Sequence, residues 1–136
     1  MKGKTIGLVL GAAVAFGLPA GAAQAEALKI GIIESLSGPQ TSTGRLFAAA
    51  AKFVVDEINK NGGFNGAPIE VIEYDNAGGT TGAADKFKQA VADGVHIVLQ
   101  GASSAIAGQI TEDVRKHNIS NPGKEVMFIN LGAEAL

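Results

Sequence analysis

The chain has 136 residues, 13 acidic against 11 basic groups, a net charge of −2 and no cysteine. That length holds one small domain, and the lack of any basic excess argues against a nucleic-acid partner. Without thiols, and with only His96 and His117 as histidines, neither a disulfide framework nor a metal site is expected, and no motif calls for a cofactor.

Lys2 and Lys4 precede an apolar stretch over residues 5–18 that Pro19 ends, and Ala23-Gln24-Ala25 has the small-x-small form that signal peptidase reads. The stretch is shorter than the ~20 residues that span a bilayer. Residues 1–25 are therefore expected to be a cleaved signal peptide. Of 136 residues, 111 would remain, starting at Glu26 and working outside the cytoplasm. Losing Lys2 and Lys4 from the 11 basic groups leaves nine against 13 acidic ones, a net charge of −4.

After the leader, strand and helix patterns alternate. Residues 28–33 form a short apolar run, read as a buried strand, followed by a polar loop over 34–44. Over residues 45–60 the apolar Leu46, Ala49, Ala50, Phe53, Val54 and Ile58 fall on one helical face. Asn61-Gly62-Gly63 stops that helix with residues tolerant of left-handed backbone. Residues 68–74 alternate polar and apolar, as a strand with one exposed face does. A loop over 75–81 leads into a second helix, capped by Thr80 or Thr81, that runs to Ala92 and buries Ala84, Phe87 and Val91. A third strand spans 95–99. Ser103 or Ser104 opens a third helix with Ile106, Ile110 and Val114 on one face, and after the turn Asn121-Pro122-Gly123 a fourth strand spans 126–129. Short connections between alternating elements predict right-handed crossovers and a parallel α/β sheet with flanking helices. The expected strand order is 2-1-3-4, the first crossover returning one way and the later ones the other, which makes a switch point beside strands one and three.

Ligands of such sheets sit beyond the carboxyl ends of the strands. The segments there are 34–44, 100–105 and 131–136. Gly101-Ala102-Ser103-Ser104-Ala105 runs directly into a helix, so backbone N–H groups, the positive helix end and two hydroxyls converge on one place suited to a carboxylate. One serine can equally serve as the helix cap, and the two roles are compatible.

The chain resembles the N-terminal half of ABC-transporter substrate-binding proteins of the branched-chain amino acid (leucine/isoleucine/valine) type, with the type I periplasmic binding fold. The residues that carry the resemblance begin with Lys29-Ile30-Gly31-Ile32-Ile33 and Ser37-Gly38-Pro39, then Gly44. Asp56-Glu57-Ile58-Asn59-Lys60-Asn61-Gly62-Gly63 and Gly66-Ala67-Pro68-Ile69-Glu70 follow. Glu73-Tyr74-Asp75-Asn76, Gly101-Ala102-Ser103-Ser104 and Gly132-Ala133 complete the set.

The resemblance implies two lobes that close on a small molecule, with delivery to an ABC permease at the membrane surface. It implies that the serine segment, Ala102, Ser103 and Ser104, holds the carboxylate of an amino acid. The loop after the fourth strand reads Gly132-Ala133-Glu134 where relatives carry Gly-Ala-Thr against the ammonium, so Glu134 is a candidate for that end of the ligand. Thr43 is the candidate from the first loop. The resemblance also implies that residues 26–136 form only part of the N-terminal lobe, without the second lobe and the hinge. Such a piece is expected to expose a strand edge and apolar surface.

Two other classes compete. Gly101-Ala102-Ser103-Ser104-Ala105 loosely imitates the nucleophile elbow of a serine hydrolase, but the last glycine is missing and neither histidine is expected near Ser103. A ligand-sensing receptor domain would share the fold and continue into a membrane or signalling segment. Gly78-Gly79-Thr80-Thr81-Gly82 lacks the spacing and lysine of a P-loop.

Overall fold

A computed structural model describes residues 27–132. The expected leader over 1–25 lies outside the described residues, as do Ala133 and Glu134. Seven elements alternate: β1 (Lys29–Glu34), α1 (Thr41–Lys60), β2 (Glu70–Asp75), α2 (Thr80–Ala92), β3 (Ile97–Gln100), α3 (Ser104–Ser120) and β4 (Met127–Asn130).

The four strands form one sheet in the expected order, β2-β1-β3-β4. Every pairing is parallel. Lys29 to Glu34 run beside Glu70 to Asp75, Ile30 to Ile32 beside Ile97 to Leu99, and Ile97 to Gln100 beside Met127 to Asn130. Chain reversal between β2 and β3 puts the switch point between β1 and β3, where the carboxyl ends of adjacent strands lead into loops that part in opposite directions.

The pleat of β1 divides the core. Ile33 points to the face covered by α2 and α3, where it meets Tyr74, Phe87, Val98, Ile106 and Ile110. Ile30 and Ile32 point to the other face, under Ala48 and Val55 of α1, with Leu99 and Ile69. Gly31 faces the first of these cores. A Cβ there would lie 3.1 Å from both Tyr74 and Val95, so the smallest residue sits where two large ones meet.

Two asparagines fasten helix ends to the strands that follow. Asn59 Nδ2 donates to the Ile69 carbonyl (2.9 Å) and Asn59 Oδ1 accepts from Ile69 N–H (2.7 Å). Asn118 does the same with Val126, at 3.0 and 2.9 Å. Each side-chain amide thus satisfies both backbone groups of a buried residue before the sheet can do so.

The first helix departs from its sequence reading in two ways. It starts at Thr41 rather than at 45, so Gly44 and Thr43 lie in its first turn. Its buried stripe is Gly44, Ala48 and Val55, whereas Leu46 is 69 % exposed, Phe53 66 % and Val54 55 %. Small residues let the helix axis approach the sheet closely, and the larger apolar residues are turned to its flank. Val54 and Ile58 there face Ile97, Ile129 and Leu131 across an open apolar groove. In α2 and α3 the expected Phe87, Ile106 and Ile110 are buried, while Val91 and Val114 pack partly against the same core.

Candidate functional site

The loop after β1 is held by the end of β2. Asp75 Oδ1 accepts from the backbone N–H of Leu36 (3.0 Å), Ser37 (3.2 Å) and Ala77 (2.8 Å). Those donors, together with the Ser37 hydroxyl as the largest contribution, hold the Asp75 carboxyl below its ordinary range, against a smaller opposing effect of burial. Ser35 Oγ donates to Asn76 Oδ1 (2.9 Å) between two buried residues. Arg45, in the first turn of α1, donates to the Leu36 carbonyl (3.1 Å). The Ser37-Gly38-Pro39 loop is thereby fixed at both ends. Thr43 is exposed near its end.

Across the switch point the serine segment follows β3. Ser103 is the N-cap residue of α3, extended at φ −151° and ψ 123°, and its hydroxyl makes no capping bond to the first turn. The first helical hydrogen bond is Ala107 N–H to the Ser103 carbonyl (2.9 Å). Ala102, Ser103 and Ser104 are all half-buried. Gly132 follows β4 after one residue, Leu131, whose N–H bonds the Gln100 carbonyl (2.8 Å). Ala102, Ser103, Ser104 and Gly132 therefore share one end of the sheet, with Thr43 on the adjoining helix. Ala133 and Glu134 lie outside the described residues.

The structure corrects one part of the anion reading. Not all the backbone N–H groups of this segment are free. Gly101 N–H donates to Glu34 Oε1 at 2.6 Å. With the Gln100 amide oriented to pair both its atoms, Gln100 Oε1 accepts from Ala102 N–H (3.0 Å) and Ser103 N–H (2.9 Å), while Nε2 donates to the Ser103 carbonyl (3.2 Å). Glu34 and Gln100 are both fully buried. Three consecutive donors are thus consumed internally, so an anion here would have to rely on the Ser103 hydroxyl, which makes no capping bond, and on the helix end behind it. Burial pushes the Glu34 carboxyl up, and the N–H groups of Gly101, Ala102 and Ser35 oppose that rise. Sequence reasoning missed both residues. The available signal was a charged or amide side chain ending an otherwise apolar strand.

Two glycines set how closely the elements meet around this end of the sheet. A Cβ on Gly101 would lie 2.8 Å from the Phe47 ring, and one on Gly132 would lie 2.6 Å from it. Phe47 of α1 therefore lies against both loops.

The histidines lie elsewhere. His96 Nδ1 accepts from Lys29 N–H (3.1 Å) at the start of β1, and His117, in the last turn of α3, contacts the Lys124 carbonyl through Nε2 (2.9 Å). Neither is placed to act as base for Ser103, so no hydrolase dyad forms. Among the described residues no group of three or more His, Cys, Asp or Glu could hold a metal ion, and no helix is long and apolar enough to cross a membrane.

Residues 27–133 match a family described as periplasmic binding protein. The chain belongs to that family. It is 61 % identical over 117 residues to the Leu/Ile/Val-binding protein homolog 4 of Brucella abortus (strain 2308), a match covering 86 % of this chain and 28 % of the relative. It is 32 % identical over 88 residues to the leucine-, isoleucine-, valine-, threonine- and alanine-binding protein of Pseudomonas aeruginosa, covering 65 % of this chain and 24 % of that one. Among solved structures it is similar to the closed conformation of the leucine-, isoleucine-, valine-, threonine- and alanine-binding protein from Brucella ovis. The identity is 62 % and the TM-score 0.79, over 82 % of this chain and 29 % of that one. The branched-chain amino acid transporter substrate binding protein of Streptococcus pneumoniae, solved with isoleucine, aligns at 29 % identity and TM-score 0.69, over 77 % of this chain and 28 % of that one. The chain spans less than a third of the length of these relatives.

Proposed function

We propose that this chain is part of the N-terminal lobe of an extracytoplasmic solute-binding protein of an ABC importer. The ligand is a branched-chain amino acid or a similar small carboxylate or amide. The protein is exported by the leader over residues 1–25 and passes its ligand to a membrane permease. The observation that carries this reading is the serine segment at the switch point: Ser103 caps α3 by position yet leaves its hydroxyl out of the cap. A hydroxyl so placed, with Ser104 beside it and the positive helix end behind, suits a carboxylate. The names of the most similar relatives support the ligand class.

A second lobe would supply the opposite wall of the cleft, and Glu134, Ala133, Gly132 and Thr43 are the further candidates on this wall. The binding energy on this side comes from charge-assisted hydrogen bonds of roughly 1.5–3 kcal/mol each.

The test is calorimetry on the full-length protein with L-leucine, L-isoleucine and L-valine, beside the Ser103→Ala/Ser104→Ala variant. Loss of two such bonds weakens binding by roughly two to four orders of magnitude, without abolishing it, because the helix end remains. Unchanged affinity in the double variant removes the carboxylate role. N-terminal sequencing of exported material, expected to begin at Glu26, checks the leader.

A further inference from the structure

We propose that Glu34 is a positioning residue for ligand binding: its buried carboxylate, with the Gln100 amide, holds residues 101–103 in the shape that presents the serine hydroxyls. The proposal rests on the reading of Ser103 and Ser104 as the ligand-carboxylate site.

The geometry runs through both sides of one glycine. Glu34 ends β1 and is fully buried. By the alternation of the strand it shares the α1 face of the sheet with Ile30 and Ile32. A carboxylate is costly to bury there unless something nearby requires it. What it meets is the Gly101 N–H, 67 positions away in sequence, at 2.6 Å. The same glycine has no room for a Cβ, because the Phe47 ring would be 2.8 Å from it. Gly101 is thus gripped by a carboxylate and confined by an aromatic ring.

Gln100 completes the arrangement from within the loop. Its oxygen takes the next two N–H groups, Ala102 and Ser103, and its nitrogen takes the Ser103 carbonyl. That carbonyl also accepts the first bond of α3 from Ala107. Ser103 is thereby fixed in extended geometry at the mouth of the helix with both of its backbone polar groups engaged. Its orientation toward a ligand is set before any ligand arrives, which lowers the ordering cost of binding.

An apolar residue at 34 would leave the Gly101 N–H buried without a partner. The cheapest remedy is for the loop to turn that N–H toward water, which moves Ser103 with it. The effect on binding therefore passes through the serines, and a double-mutant cycle isolates it.

The experiment uses the full-length protein, with L-leucine and L-isoleucine as probes in calorimetry. Glu34→Ala is expected to weaken binding by about tenfold or more, and Glu34→Gln, which keeps an acceptor oxygen, to recover affinity to within about threefold of the parent. In the Ser103→Ala/Ser104→Ala background Glu34→Ala should cost less than about threefold more, because the groups it positions are gone. Parent-like affinity in Glu34→Ala, alongside weakened binding in the serine variant, overturns the positioning role and leaves the carboxylate site standing. A full additional tenfold loss in the serine-free background also overturns it, since that would be a general effect on the lobe. Failure of Glu34→Gln to recover binding would mean that charge, not an acceptor at this position, is required, and refutes the proposal as stated. If Glu34→Ala does not fold, Gln100→Leu decides: it removes the acceptor for Ala102 and Ser103, and parent-like affinity there overturns the proposal. An unaltered affinity in the serine variant itself is the separate outcome that removes the underlying carboxylate reading.

Discussion

Replacing Gly44 by alanine should destabilise the protein although it places a better helix former inside a helix. The intrinsic preference favours alanine by about 1 kcal/mol. The structure opposes it. A Cβ at Gly44 would lie 2.3 Å from the Ser35 carbonyl oxygen, 2.8 Å from its carbon and 3.0 Å from its nitrogen. Ordinary contact needs roughly 1 Å more, so either the start of α1 or the start of the loop after β1 must move. Both are tied. Gly44 N–H bonds the Gln40 carbonyl (2.9 Å), and Ser35 is buried with its hydroxyl on Asn76 (2.9 Å). Overpacking of this kind costs roughly 1–3 kcal/mol, and disturbing the Ser35–Asn76 bond adds about 1 kcal/mol. The net expectation is a loss of about 1–3 kcal/mol. Gly82 repeats the device in the first turn of α2, where a Cβ would lie 2.2 Å from the Asn76 carbonyl oxygen. The two glycines thus press on the two residues of one hydrogen-bonded pair. Gly44→Ala and Gly82→Ala should each destabilise, and the double variant should lose less than the sum, because the first change already spoils the shared pair. Denaturant unfolding of the full-length protein reads this as a lower midpoint at unchanged slope. A Gly44→Ala variant more stable than its parent by about 1 kcal/mol would refute the reasoning, since propensity would then have won over contact.

Two further outcomes concern the acid stability of the fold and its uncovered apolar surface. Asp75 has its carboxyl held below the ordinary range in the folded state, so it contributes stability above the unfolded pKa that is lost as pH falls through the folded value; Asp75→Asn should flatten the acid limb of the stability profile, and an unchanged acid limb in that variant counts against the role of its three backbone partners. Residues 26–136 expressed alone should bind a hydrophobic dye and self-associate, because Leu46, Phe53, Val54, Met127 and Ile129 leave a broad apolar surface uncovered; a sharp cooperative melt of a purified monomer would contradict this.

The architecture was legible in the sequence because each strand and most helices obey one dominant signal. The apolar run ending at Ile33, the alternation through Tyr74 and the i, i+4 spacing of Ile106 and Ile110 all read correctly, and short connections between them imply the parallel pairing that the sheet shows. Boundaries shifted where polar residues take part in the sheet. Glu34 and Gln100 close β1 and β3, yet by type they belong to loops. The first helix was misread for a different reason. Hydrophobic ranking selects the large side chains, Leu46, Phe53 and Val54, as the inner face, whereas close approach to the sheet selects Gly44 and Ala48. Size competes with hydrophobicity at a helix–sheet contact, and a periodicity count weighs only the second.

The candidate site was legible only in part, and the reason is the reach of its hydrogen bonds. That two serines stand at the mouth of a helix can be read locally, from five consecutive residues. Which donors remain for a ligand cannot, because it depends on a carboxylate 67 positions upstream and on an amide that folds back onto its own loop. A helix N-terminus advertises positive charge whether or not its approaches are filled. Here the three N–H groups leading up to it are filled, by the protein's own Glu34 and Gln100. An anion approaching this helix end would therefore meet the Ser103 hydroxyl and the first helical turn instead. A hydroxyl both donates and accepts, so it can pair with an amide N–H as well as with a carboxylate or carbonyl oxygen, whereas a backbone N–H can only donate, to an acceptor oxygen. Filling those three donors with Glu34 and Gln100 thus leaves this end of the sheet fewer fixed donors for an anion than its helix N-terminus alone suggests.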